Sequence, residues 1–154
     1  MTASSAPLYL DDIPVGHRHV TRTYTMTAEE IVTYARRYDP QPFHTDEHAA
    51  AQSVFGGLAA SGWHTAALTM RLVVETLPLA GGVIGAGGEL QWPKPTRPGD
   101  LLQVEIEILE ITPSPSRPDR GSAIMRILTR NQAGETLQAF TVKVLLRRRD
   151  ATAP

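Results

Sequence analysis

An α+β fold, with a curved antiparallel sheet wrapped around one long helix, is predicted by three observations on this 154-residue chain. First, the longest unbroken helical pattern begins near Ser61-Gly62 and runs to about Thr76. Its apolar residues, Trp63, Ala66, Ala67, Met70, Val73, Val74 and Leu77, are spread around much of the circumference, which predicts a largely buried helix. Second, everything downstream of Pro78 and Gly81-Gly82 has the composition of strands. Third, turn residues separate those strands cleanly, and a run of strands packed on a helix is an α+β arrangement. The length suits one domain with a real core rather than two.

In chain order, residues 1–8 are small and polar and are expected to fray, residues 9–148 to form the domain, and residues 149–154 to be a flexible end. Asp11-Asp-Ile-Pro-Val-Gly16 reads as a turn. Val20, Thr21, Thr23, Tyr24 and Thr25 favour a strand over Arg18 to Met26. Thr27-Ala-Glu-Glu30 has the form of a capping box, so a helix starts there, and Ile31, Tyr34, Ala35 and Tyr38 recur at helical spacing. Pro40 disfavours helical geometry at Asp39, which places Asp39 on the helix exit. A short helix is expected over Asp46 to Gln52, with acids near its positive end. The predicted strands are Val83 to Trp92, Leu101 to Ile111, Ser122 to Thr129 and Leu137 to Leu146. Pro93 to Asp100 and Thr112 to Gly121 are proline-rich connections, and Asn131-Gln-Ala-Gly134 is a hairpin turn. Such a sheet leaves edges, which predicts a homodimer or a higher oligomer built from dimers.

Composition narrows the function. A formal net charge of -1 supplies no strong field for nucleic acid, and the basic run Arg147 to Arg149 reads as a solvated tail. The chain has no cysteine, which removes disulfides, thiolate metal sites and a cysteine nucleophile together. The N-terminal residues lack a basic patch followed by an apolar stretch, and no window is apolar for a bilayer's thickness. A cytoplasmic protein with no membrane partner is expected.

The residues able to do chemistry cluster early. Asp39 and His44 lie five positions apart across Pro40 and Pro42, which forbid a regular helix and hold the backbone in a stiff, partly extended turn. An imidazole beside a carboxylate suits proton transfer, because histidine titrates near neutrality and the acid can hold a water or orient the ring. As residue types alone, the pair fits a structural loop better than catalysis, with Asp39 capping a helix and His44 filling a gap. Gly62 stands at the entry of the long helix, where amides are unpaired and the dipole is positive, while Gly56, Gly57 and Gly62 also suit tight turns. No set of three ligands at metal-binding spacing is visible, and no nucleophile elbow, phosphate loop or dinucleotide fingerprint occurs.

Together these residues resemble the MaoC-like hydratase family, whose (R)-specific enoyl-CoA hydratases carry Gly-Asp-x-Asn-Pro-Leu-His-x-Asp, then alanines, then a phenylalanine and a glycine-entered helix. Here Asp39-Pro-Gln-Pro-Phe-His44-Thr-Asp46 is followed by Ala49-Ala-Ala51, Phe55-Gly-Gly57 and Ser61-Gly62. Glu89-Leu-Gln-Trp-Pro-Lys-Pro-Thr-Arg-Pro-Gly-Asp100 is similar to the family's strand and proline-rich turn. The resemblance spans about Tyr9 to Arg147 and implies the hotdog fold, with two protomers sharing one extended sheet. It further implies that Asp39 and His44 activate the water and that the Gly62 amide polarises a thioester carbonyl. Ser61, Gly57, Phe43 and Trp63 would border the substrate. The substrate would be a thioester of coenzyme A or of an acyl carrier protein, and the reaction needs no cofactor. Four positions depart from the pattern: Tyr38 replaces glycine, Gln41 asparagine, Phe43 leucine, and Ser61 the histidine before Gly62. Two rival readings are a non-catalytic acyl-CoA-binding hotdog and a hotdog thioesterase. The thioesterase would need an acid on the central helix, where Glu75 stands only at the far end.

Overall fold

The computed structural model describes residues 6–149, so most of the two ends expected to fray, 1–5 and 150–154, lies outside the described residues. After a 3-10 turn at Leu10–Asp12, the chain forms β1 (Arg18–Val20) and β2 (Tyr24–Thr25). These two replace the single strand expected over Arg18 to Met26. The break has a local cause: the Thr21 amide donates to the Val104 carbonyl at 2.9 Å, while the Val104 amide donates to the Thr21 hydroxyl at 3.0 Å. A side-chain oxygen thus takes the place of a ladder carbonyl, and regular pairing stops there.

Helix α1 (Ala28–Tyr38) starts at the predicted capping box, with the Glu30 amide donating to the Thr27 hydroxyl at 3.2 Å. Helix α2 (Pro42–Thr45) corrects the expectation of an extended turn. Pro42 occupies the first helical position, where its missing N–H is not needed and its fixed φ suits the helix. Helix α3 (Glu47–Ala51) follows, capped by Asp46. Helix α4 (Gly62–Thr76) is the long central helix. The remaining strands are β3 (Ile84–Gln91), β4 (Leu101–Pro113), β5 (Arg120–Arg130) and β6 (Thr136–Arg147), with the expected hairpin turn between the last two.

The sheet is antiparallel throughout, in the order β1-β4-β5-β6-β3, with β2 also beside β4. Register shifts in β3 at Gly85/Gly87 and in β4 at Ile108/Glu110 bend the strands, as bulges do. Alternate residues of β4, Leu102, Val104, Ile106 and Ile108, are fully buried and face Leu68, Leu72 and Val73 of α4 in one core. Two hydroxyl pairs cross the same layer, Thr65 with Thr96 at 2.9 Å and Thr69 with Thr129 at 2.7 Å, so neither helix threonine is buried unpaired.

The helix is not buried all round: Trp63, Met70 and Val74 are exposed, because the sheet covers one side only. Nor is the basic run a free tail. Arg148 and Arg149 pair with Asp11 and Asp12 at 2.9 Å and 2.6 Å, tying the end of β6 to the start of the chain. Leu8 is likewise held, its amide donating to the Pro78 carbonyl at 2.9 Å. Among the described residues, no helix is long and apolar enough to cross a membrane.

The orientation of α4 is testable by contrast. Leu72→Ala, at a fully buried position, should cost about 2–5 kcal/mol of unfolding free energy. Val74→Ala, at a half-exposed one, should stay within about 0.5 kcal/mol, both read by urea denaturation.

Candidate active site

The site is assembled where α1 ends and α4 begins. Asp39 is the residue after the last turn of α1, its amide donating to the Ala35 carbonyl at 2.9 Å. Its own carbonyl accepts from the Gln41 amide at 2.7 Å, which folds the chain back so that Pro42 can open α2. His44 lies on α2, 5% exposed, and is thereby turned inward toward Asp39.

The Nδ1 of His44 lies 2.6 Å from the Ala59 carbonyl. A carbonyl only accepts, so Nδ1 carries a proton, and in the neutral form of the ring the lone pair lies at Nε2. Nε2 is 3.4 Å from Oδ2 of Asp39. Asp39 receives two further donors: the Ser61 hydroxyl on Oδ2 at 2.7 Å and the Gln41 side-chain amide on Oδ1 at 2.7 Å. Burial pushes the Asp39 carboxyl up, but these two hydrogen bonds, with His44 close by, outweigh it. They hold the group below its ordinary value. The acid is therefore kept as an anion beside a ring fixed in one tautomer.

Ser61 and Gly62 open α4, and no acceptor among the described residues takes the Gly62 amide. Gly62 borders a cavity of about 310 Å³ that is also lined by His44, Phe55, Thr65, Trp92 and Thr96, among others. The Trp92 ring lies directly on Gly62: a Cβ there would fall 2.6 Å from the indole. The indole is pinned by its N–H, which donates to the Gln138 side chain at 2.9 Å, and by Trp63, edge-on at 5.1 Å.

Asp39, His44, Ser61 and Gly62 are thus brought together. Phe43 packs edge-on against His44 and touches Phe55, backing the cavity rather than facing it. Trp63 buttresses Trp92 from the solvent side, and the Gly57 carbonyl is taken by Arg97 at 2.9 Å, away from the cavity. Sequence reasoning did not single out Trp92, Thr65 or Thr96 as site residues. Trp92 had a signal, a large aromatic between the third strand and the proline-rich turn. The Ala59 carbonyl had none, because a backbone acceptor leaves no trace in residue type.

An antiparallel sheet wrapped around one long helix, with an acid and a base meeting at that helix's N-terminus, defines a protein of the hotdog class. The family described as "MaoC like domain" matches residues 13–118, and the chain belongs to that family. Among solved structures, a MaoC-like dehydratase from Rhodospirillum rubrum is 57% identical and superposes with a TM-score of 0.90, over 92% of this chain and 98% of that one. An (R)-hydratase from Pseudomonas aeruginosa is 26% identical with a TM-score of 0.72, over 96% and 94% of the two chains. A 3-hydroxybutyryl-CoA dehydratase from Methylorubrum extorquens is 32% identical over 111 residues, covering 71% of this chain and 69% of that protein.

The Ser61 contact predicts a titration. Ser61→Ala removes one donor while burial persists, so the Asp39 carboxyl should titrate at higher pH, followed by carboxyl carbon NMR. Because the folded value in the wild type is depressed, the stability this contributes is fully present above the unfolded value near about pH 3.9 and is lost as pH falls through the folded value. The stability gap between wild type and variant should therefore close on acidification.

Proposed function

We propose that this protein catalyses the reversible addition of water to a trans-2-enoyl thioester, equally the dehydration of the 3-hydroxyacyl thioester. The observation that carries the reading is the convergence of His44 Nε2 and Asp39 Oδ2, 3.4 Å apart, with His44 lining the same cavity as Gly62, whose amide has no acceptor among the described residues. Two acceptors this close suit a water molecule whose O–H groups they orient. Asp39 stays anionic and fixes the water, and His44 Nε2 takes its proton as the oxygen bonds to the β-carbon. The π electrons move toward the thioester carbonyl, whose oxygen gathers charge against the Gly62 N–H at the positive end of α4. The imidazolium returns a proton to the α-carbon, so one pair serves both ends of the double bond and no cofactor is consumed. The named activities of the Methylorubrum and Pseudomonas relatives support the same reaction class. The carrier is coenzyme A or an acyl carrier protein.

Glu75 does not favour the thioesterase alternative. Its two carboxylate oxygens are engaged by Arg71 at 2.9 Å and Arg22 at 2.8 Å, at the far end of α4 from the cavity. It cannot activate water at the Gly62 end.

Purified protein should hydrate crotonyl-CoA, read as loss of the conjugated thioester absorbance, and Asp39→Asn or His44→Ala should each lower kcat by about 10²- to 10⁴-fold with the fold retained. Binding of acyl-CoA without turnover across a chain-length panel would replace catalysis with the binding reading.

We further propose that the working unit is a homodimer. Strand β3 pairs with β6 on one side only, and seven of its eight residues are exposed, so its free edge is open to a second copy. Sedimentation equilibrium should return twice the 16.8 kDa chain mass, and a monomer mass would sink this part of the reading.

A further inference from the structure

Resting on the acid–base role of His44, we propose that Arg97 is a positioning residue for the reaction: it sets the tautomer of His44 without touching the substrate cavity. The link is a backbone one. His44 is held as the Nδ1–H form by the Ala59 carbonyl, and Ala59 belongs to the loop that joins α3 to α4. That loop has no regular structure from Val54 to Ala60 to hold it in place. Its carbonyls converge instead on one guanidinium: Arg97 donates to Gly57 at 2.9 Å, to Leu58 at 3.3 Å and to Phe55. The planar fork of arginine can serve several acceptors at fixed directions, which a lysine ammonium cannot reproduce.

Arg97 is itself anchored. Its amide donates to the buried Asp100 carboxylate at 2.8 Å. The turn that carries both residues is fastened to Met26, whose carbonyl accepts from the Gly99 amide at 2.7 Å and whose amide donates to the Asp100 carbonyl at 2.9 Å. Met26 is fully buried. One residue earlier, the Thr96 carbonyl accepts from the Ala60 amide at 2.9 Å. Ala59 is thus flanked by bonds to Arg97 on one side and Thr96 on the other. Its own amide reaches the Phe43 carbonyl at only 3.4 Å, so the register of its carbonyl is set by its neighbours. With Arg97 in place, Nδ1–H is the favoured proton position and Nε2 is left free to accept. Without it the carbonyl is released, and the Nε2–H form, which cannot act as base toward the water, gains population.

The test is Arg97→Met, which keeps the stem and removes every donor, with Arg97→Lys as the conservative partner. Expected for Arg97→Met is a fall in kcat for crotonyl-CoA of about tenfold or more with KM within about twofold, as displacement of a catalytic group by a fraction of an ångström produces. Expected also is a weaker Nδ1–H signature of His44 in long-range proton–nitrogen NMR, assigned against His44→Ala. Arg97→Lys should fall between the two and carries the test if the methionine variant does not fold. A wild-type kcat, or lost activity with an unchanged His44 signature, overturns the proposal. The NMR readout does not need turnover, so it still decides this inference if crotonyl-CoA is not a substrate.

Discussion

The face of α4 bearing Leu68, Leu72 and Val73 lies against the alternating inner residues of the sheet, and that contact fixes where both ends of the helix stand. Each large aliphatic side chain buried there contributes about 1.5–3 kcal/mol, far more than the surface ion pairs at the domain's periphery. The hydroxyl pairs Thr65–Thr96 and Thr69–Thr129 then add direction, because a hydrogen bond constrains rotation where apolar packing tolerates it. With rotation and position set, the N-terminus of α4 meets the exit of α1, and Ser61 is brought to Asp39. The site is a consequence of how the helix is seated.

At that junction two opposing effects act on one carboxylate. Burial disfavours the charge, and hydrogen bonds from Ser61 and Gln41 favour it. Hydrogen bonds to a charged acceptor are worth about 1.5–3 kcal/mol each, so two of them suffice to keep a partly exposed acid ionised. His44 is treated differently: it is nearly fully buried and given a single fixed partner, a neutral carbonyl. One group is stabilised as an ion and the other is fixed in orientation. In the proposed hydration, that division assigns orientation of the water to the first and its deprotonation to the second.

Much of this was legible in the residues. Thr27 to Tyr38 declared its helix by a capping box and periodicity, both local signals, and the strands after Gly82 declared themselves by alternation and turns. Asp39 and His44 stood out only through the family pattern, because two titratable residues across two prolines carry no geometry of their own. Three features were beyond reach. Thr21 splits its strand by a side-chain hydrogen bond to a residue 83 positions away. Pro42 begins a helix rather than preventing one, since its effect depends on whether it falls at the first position or the interior. The exposed side of α4 carries Trp63, Met70 and Val74 beside the charged Arg71 and Glu75, so apolar residues alone do not tell it from the buried side, and the extent of the sheet decides which is covered.

The departures from the family pattern gain meaning from the geometry. Gln41 and Ser61 stand where the pattern has asparagine and histidine, and both side chains donate to the same carboxylate, one to each oxygen. Each replacement keeps a donor, so the anionic state of Asp39 is preserved while the length of its partners changes. Phe43, in place of leucine, fills space behind His44 and Phe55 and stays out of the cavity. Tyr38, in place of glycine, is 61% exposed and ends its helix without a positive φ, so nothing there required the smaller residue. Gly62 is the opposite case: with Trp92 seated on it, any side chain would displace the indole. Position by position, the junction holds a donor on each Asp39 oxygen, a carbonyl on His44 Nδ1 and, among the described residues, no acceptor on the Gly62 amide, and none of the four departures disturbs that set.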